Sequence, residues 1–128
     1  MGEQMNNRLH NSSNPYQRNF KRVLCCCSAG LLRSPTAAYV LSQPPFNCNT
    51  RACGIVVDYA LIPFDYVLAH WADEIVCMTE DQKRFIAASL DRFGIERKVI
   101  CLNIADSYAY RDPKLIALIS DGYAKSQG

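Results

Sequence analysis

The stretch that decides the fold reads Val23-Leu24-Cys25-Cys26-Cys27-Ser28-Ala29-Gly30-Leu31-Leu32-Arg33-Ser34-Pro35-Thr36-Ala37. Its first part, from Arg22 to Cys26, is a short apolar run ending in small residues, which predicts a buried strand. Ser34-Pro35 predicts a helix start, with Ser34 as N-cap and Pro35 in the first turn. Ala37, Ala38, Val40 and Leu41 supply that helix with a buried face, and Pro44-Pro45 ends it. Between strand and helix lies a short loop, Cys27 to Arg33.

Outward from this unit the alternation continues. Cys48 to Cys53 reads as a second strand stopped by Gly54, and Pro63 to Ala72 as a short helix exposing Asp65 and His70. Glu74 to Met78 reads as a third strand. Thr79 with Gln82 forms a capping box that opens a helix through Phe93, and Gly94 stops it. Lys98 to Ile104 is the expected fourth strand. Asp112-Pro113 is again an N-cap with a first-turn proline, and Gly122 is the expected end of the last helix. Short strands alternating with helices predict an α/β three-layer sandwich with a four-stranded parallel sheet, flavodoxin-like order 2-1-3-4, and right-handed crossovers. Ligands of such sheets bind beyond the carboxyl ends of the strands, where Cys27 to Arg33 lies.

The length of 128 residues suits one domain. Residues 1–19, rich in Asn, Ser, Gln and Arg and without periodicity, read as a flexible arm before a domain spanning 20–128. No apolar run spans a bilayer, and the first residues show no secretion-signal core. A formal charge of +2 is too small to argue for nucleic acid, and Arg18, Lys21 and Arg22 read as a solvated basic segment. Seven cysteines without a signal peptide point to thiols in a reducing compartment, the cytoplasm. Their spacing gives no zinc site, because neither His10 nor His70 lies near a close cysteine pair. No metal or cofactor is called for.

The loop carries chemistry. A strand-to-helix turn directs backbone N–H groups inward as a nest for a tetrahedral anion, formed here by Ser28, Ala29, Gly30, Leu31, Leu32, Arg33 and Ser34. The following helix adds its positive end, which favours the nucleophilic thiolate of Cys27. Arg33 can grip two phosphoryl oxygens through its planar fork. Ser34 can donate to the Cys27 sulfur and ease its departure from phosphorus. Cysteine and arginine six apart carry little weight by spacing alone, since seven cysteines give the pair room to arise by accident. The competing reading makes Cys27 a buried strand-end thiol and Arg33 a surface charge.

With these residues in hand, the segment from Val23 to Ala37 resembles the active-site loop of the low-molecular-weight protein tyrosine phosphatase family, in its compact bacterial and phage branch. Arg51-Ala52-Cys53-Gly54 is similar to that family's second strand end, and Trp71 to Met78 to its third strand. Val99 to Asp106, with Tyr108 and Asp112-Pro113, is similar to the last strand and the loop carrying the general acid. The resemblance spans roughly residues 22 to 120. It implies a cysteinyl-phosphate mechanism acting on a phosphorylated protein, phosphotyrosine above all, or on a small phosphomonoester. Two residues depart from it: Gly30 stands where many members have Asn, and Leu32 where the eukaryotic-type loop has a second cysteine.

Two carboxylates compete for the role of proton donor. Asp112 precedes a proline as in the family, but also has an ordinary capping duty, whereas Asp106 has none and is preferred. Tyr108 and Tyr110 either wall the pocket or pack the loop's edge. Cys25, Cys26 and Cys53 are candidates for a regulatory disulfide with Cys27, while Cys77 and Cys101 read as small apolar residues. Two other functions share the fold or the loop. An arsenate reductase needs two further cysteines after the third strand, where Thr79 to Phe93 holds none. A non-catalytic phosphate-binding module could dispense with Cys27 and an acid.

Overall fold

The computed structural model describes residues 20–28, 33–56, 60, 62–105 and 107–127. The expected arm, 1–19, lies outside them, as do Ala29, Gly30, Leu31, Leu32 and Asp106. The elements run β1 (Arg22–Cys27), α1 (Arg33–Ser42), β2 (Asn49–Gly54), α2 (Tyr66–Trp71), β3 (Glu74–Cys77), α3 (Glu80–Phe93), β4 (Lys98–Cys101) and α4 (Pro113–Gln127). The four strands are parallel in the order β2-β1-β3-β4, as the alternation predicts.

Apolar residues on both faces of the central strands require two covering layers. On one side Val23, Cys25 and Val76 pack beneath α1 and α4 through Leu41, Leu115, Ile119 and Tyr123. On the other, Leu24, Cys26 and Ile75 pack beneath α2 and α3 through Leu68, Ile86 and Leu90. At the amino ends of the strands the Tyr123 hydroxyl donates to Glu74 Oε1 at 2.8 Å, and Lys21 Nζ lies 3.2 Å from Oε2. Burial, with the neighbouring Glu74, pushes the Tyr123 phenol up and holds it neutral. Lys21 and Arg22 of the basic segment are thus paired, Lys21 with Glu74 and Arg22 with Asp73.

Several boundaries differ from the expected ones. Helix α1 begins at Arg33, so Ser34 lies inside its first turn and its hydroxyl serves tertiary contacts rather than a cap. Asp65 is not an exposed helix residue but the N-cap of α2, accepting from Leu68 N at 2.9 Å. Strand β4 ends at Cys101 because Asn103 adopts a left-handed φ of 57°. The amides of Leu102 and Ile104 still bond the carbonyls of Cys77 and Met78. Gly122 does not close α4, which continues to Gln127; a Cβ there would sit 3.1 Å from Leu102 Cδ2, so the glycine lets the helix approach the loop.

Candidate active site

The carboxyl ends of the strands gather the residues that the loop chemistry singles out. Cys27 is the last residue of β1, 3% exposed, and Arg33 and Ser34 open α1. The Cys27 thiol donates to Ser34 Oγ at 3.2 Å, and the Ser34 hydroxyl donates in turn to the Cys53 carbonyl at 3.2 Å. Strand β1, helix α1 and strand β2 therefore meet on one hydroxyl. Arg33 is not a surface charge: it is 3% exposed, and its Nη1 donates to the Ile104 carbonyl at 2.7 Å. Burying a guanidinium without acceptors would cost several kcal/mol, so such bonds are a condition of its placement.

Backbone bonds hold the start of the loop. Ile55 N donates to the Cys27 carbonyl at 3.0 Å and Val56 N to the Ser28 carbonyl at 2.9 Å. The Ser28 hydroxyl accepts from Gln82 Nε2 of α3 at 3.2 Å. The structure thus brings together Cys27, Ser28, Arg33 and Ser34, while Ala29 to Leu32 lie outside the described residues.

The loop after β4 is tied to the same place at two points. Ile104 holds Arg33, and further on Arg111 N donates to the buried Thr36 Oγ1 at 2.9 Å. Arg111 itself sits at φ 58°, with its guanidinium 3.7 Å over the Tyr39 ring. Asp106 belongs to the segment between these ties. Tyr108 is partly buried against the α1–α4 side, whereas Tyr110 is 48% exposed. Asp112 Oδ1 accepts from Lys114 N at 2.8 Å, the capping bond expected of an Asp before a helix-opening proline.

All seven cysteines are described, and all are thiols. Cys25 shares the α1–α4 side with Cys27, and Cys26 faces the other. Cys26 and Cys53 are register partners with sulfurs 3.3 Å apart. Burial pushes the thiols of Cys25 and Cys26 well up, and burial beside Cys101 raises Cys77 to about 12. These are thiols that resist ionisation. Among the described residues no group of three or more His, Cys, Asp or Glu side chains could hold a metal ion. No helix among the described residues is long and apolar enough to cross a membrane.

Sequence patterns did not expose three partners: the Ile104 carbonyl, Thr36 and Gln82. Only Gln82 carried a local signal, as the third helical residue of a capping box at the end of the strand beside β1.

No protein-family model matches the chain, and no curated protein matches it. Solved structures do. The tyrosine phosphatase Wzb from Escherichia coli K30, in complex with phosphate, superimposes with a TM-score of 0.63 at 19% identity, covering 85% of this chain and 99% of that one. This is the low-molecular-weight protein tyrosine phosphatase fold. The YwlE arginine phosphatase from Geobacillus stearothermophilus shares it at a TM-score of 0.62 and 18% identity, over 84% of this chain and 93% of that one. So does the Erwinia amylovora tyrosine phosphatase amsI, at 0.59 and 15%, over 89% and 95%.

Proposed function

We propose that this chain is a cysteine-dependent phosphomonoester hydrolase acting on phosphotyrosine in proteins, with residues 20–128 as its catalytic domain. The observation that carries the reading is the single hydroxyl of Ser34, bonded to the Cys27 thiol at the mouth of β1 beside the buried Arg33. A buried arginine and a thiol at the end of a parallel strand, ahead of a helix N-terminus, form a setting for an anion and a nucleophile. The likeness to phosphatases of the same fold supports the same reading.

In this mechanism the Cys27 thiolate attacks phosphorus while the ester oxygen departs with a proton from Asp106. The phosphoryl group is then held on Cys27 sulfur, with Arg33 and the amides of Ser28 to Ser34 neutralising its oxygens. Asp106, now a carboxylate, takes a proton from water as that water attacks phosphorus and sulfur leaves as thiolate, accepting a bond from Ser34. Asp106 is preferred as the acid because Asp112 is engaged in capping α4. A covalent phosphoryl-enzyme is supported by a YwlE structure described as a cysteine-to-serine mutant with a phosphorylated active-site serine. Phosphotyrosine is favoured because the acid loop carries Tyr108 and the exposed Tyr110, whose rings suit an aromatic leaving group. The abundance of thiols supports a cytoplasmic setting.

The test is hydrolysis of p-nitrophenyl phosphate at mildly acidic pH by the wild type and Cys27→Ser. The variant is expected to lose at least about 10³-fold in turnover. Equal rates would remove Cys27 as nucleophile. Parallel assays on phosphotyrosine and phosphoarginine peptides decide the leaving group, and arsenate reduction coupled to thioredoxin checks the alternative chemistry of the fold.

A further inference from the structure

Gln82 is the third residue of α3, and the helix alone does not explain its identity. It is 3% exposed. Its Oε1 accepts two backbone N–H groups, from Met78 at 2.8 Å and Thr79 at 3.3 Å, and its backbone N–H donates to Thr79 Oγ1 at 3.3 Å. Backbone N–H groups can only donate, so they fix which end of the side-chain amide is oxygen. The NH₂ end is thereby aimed at Ser28, 3.2 Å from its hydroxyl.

Capping requires only the oxygen. Glutamate serves a capping box as well as glutamine does, and a helix N-terminus favours the negative charge. The next residues outward, Glu80 and Asp81, are indeed acidic. The buried position that reaches the loop carries instead the neutral, donating form. Its donor goes to the residue that directly follows Cys27.

We propose that Gln82 is a positioning residue of the phosphoryl site. By donating to the Ser28 hydroxyl it fixes the first residue of the anion loop, and it leaves that hydroxyl's proton to face outward to an acceptor. By being uncharged it keeps the start of the loop receptive to a dianion. Ser28 is then held from two elements: its carbonyl by Val56 beyond β2, and its side chain by α3. The inference rests on the phosphatase reading of Cys27 and its loop.

The experiment measures binding of inorganic phosphate by titration calorimetry, p-nitrophenyl phosphate kinetics and thermal melting for the wild type, Gln82→Glu, Gln82→Ala, Ser28→Ala and the double alanine variant. Gln82→Glu retains the cap and is expected to melt near the wild type, yet to bind phosphate roughly ten-fold or more weakly, because a carboxylate cannot donate and repels the anion. Gln82→Ala and Ser28→Ala should each weaken phosphate by roughly three- to ten-fold. In the Ser28→Ala background the Gln82→Ala change should add little, although it still lowers the melting temperature through the lost cap. A purely structural role would move melting temperature without this coupling. If Gln82→Glu binds phosphate as the wild type does, or the two alanine effects simply add, the positioning role is overturned while the phosphatase reading stands. If Gln82→Glu does not fold, the alanine cycle decides alone. A wild type that neither binds nor hydrolyses phosphate compounds would overturn both.

Discussion

Replacing Ser34 with alanine tests the hydroxyl on which three elements meet. In the resting state the Cys27 thiol donates to Ser34 Oγ, and that oxygen spends its one proton on the Cys53 carbonyl, each over 3.2 Å. When sulfur becomes a thiolate it can no longer donate, and the serine proton turns to it. A hydrogen bond to a charged group is worth about 1.5–3 kcal/mol, and the neutral bond to Cys53 that is given up is worth about 1. The net gain on forming the thiolate is therefore about 0.5–2 kcal/mol, or roughly 2- to 30-fold in rate. Loss of the hydroxyl should act chiefly on the step in which sulfur leaves phosphorus. Stopped-flow measurement with p-nitrophenyl phosphate should show slower turnover by that factor and a larger burst, as phosphoenzyme accumulates. Thermal melting should show a loss of about 1 kcal/mol, the worth of the neutral bond to the Cys53 carbonyl. Turnover unchanged in a folded Ser34→Ala protein, or slowed with no larger burst, would refute the argument.

Asp106→Asn is expected to lower kcat by roughly 10²–10⁴-fold on substrates with poor leaving groups. Asp112→Asn should leave both activity and stability close to the wild type, since asparagine caps a helix about as well as aspartate; the reverse pattern would move the acid to Asp112. Partial burial pushes the Asp73 carboxyl up, but bonds from the Arg22 amide and guanidinium outweigh it and hold the carboxyl below its ordinary value of 3.8. A depressed carboxyl contributes stability above its unfolded pKa and loses it as pH falls through the folded one. Asp73→Asn should thus cost at most about 1 kcal/mol at pH 7, with the difference fading only below about pH 4 in thermal melts. An undiminished difference at pH 2 would contradict this.

Much of the scaffold was legible locally because it depends on local rules. The capping box at Thr79 and Gln82, the αL stop at Gly94 and the proline after α1 each act within a few residues, and each stands where the pattern puts it. Gly122 misled because glycine has two uses. Next to a helix end it usually terminates; here it admits Leu102. The end of β4 was overextended because the apolar residues Leu102 and Ile104 continue its alternation, while one left-handed asparagine between them turns the backbone.

The sequence by itself determined the strand–loop–helix unit around Cys27, the parallel sheet and the choice of Cys27 with Arg33 as candidate chemistry. Those follow from periodicity, caps and the chemical character of side chains close together in the chain. Only the tertiary structure decided what surrounds the pair. It buried Arg33 against the Ile104 carbonyl, set Ser34 between Cys27 and Cys53, and brought Gln82 to Ser28 across 54 residues. Such contacts depend on which strands lie side by side and on the residue at which each stops. A hydrogen bond is lost within a fraction of an ångström, and no spacing along the chain encodes that.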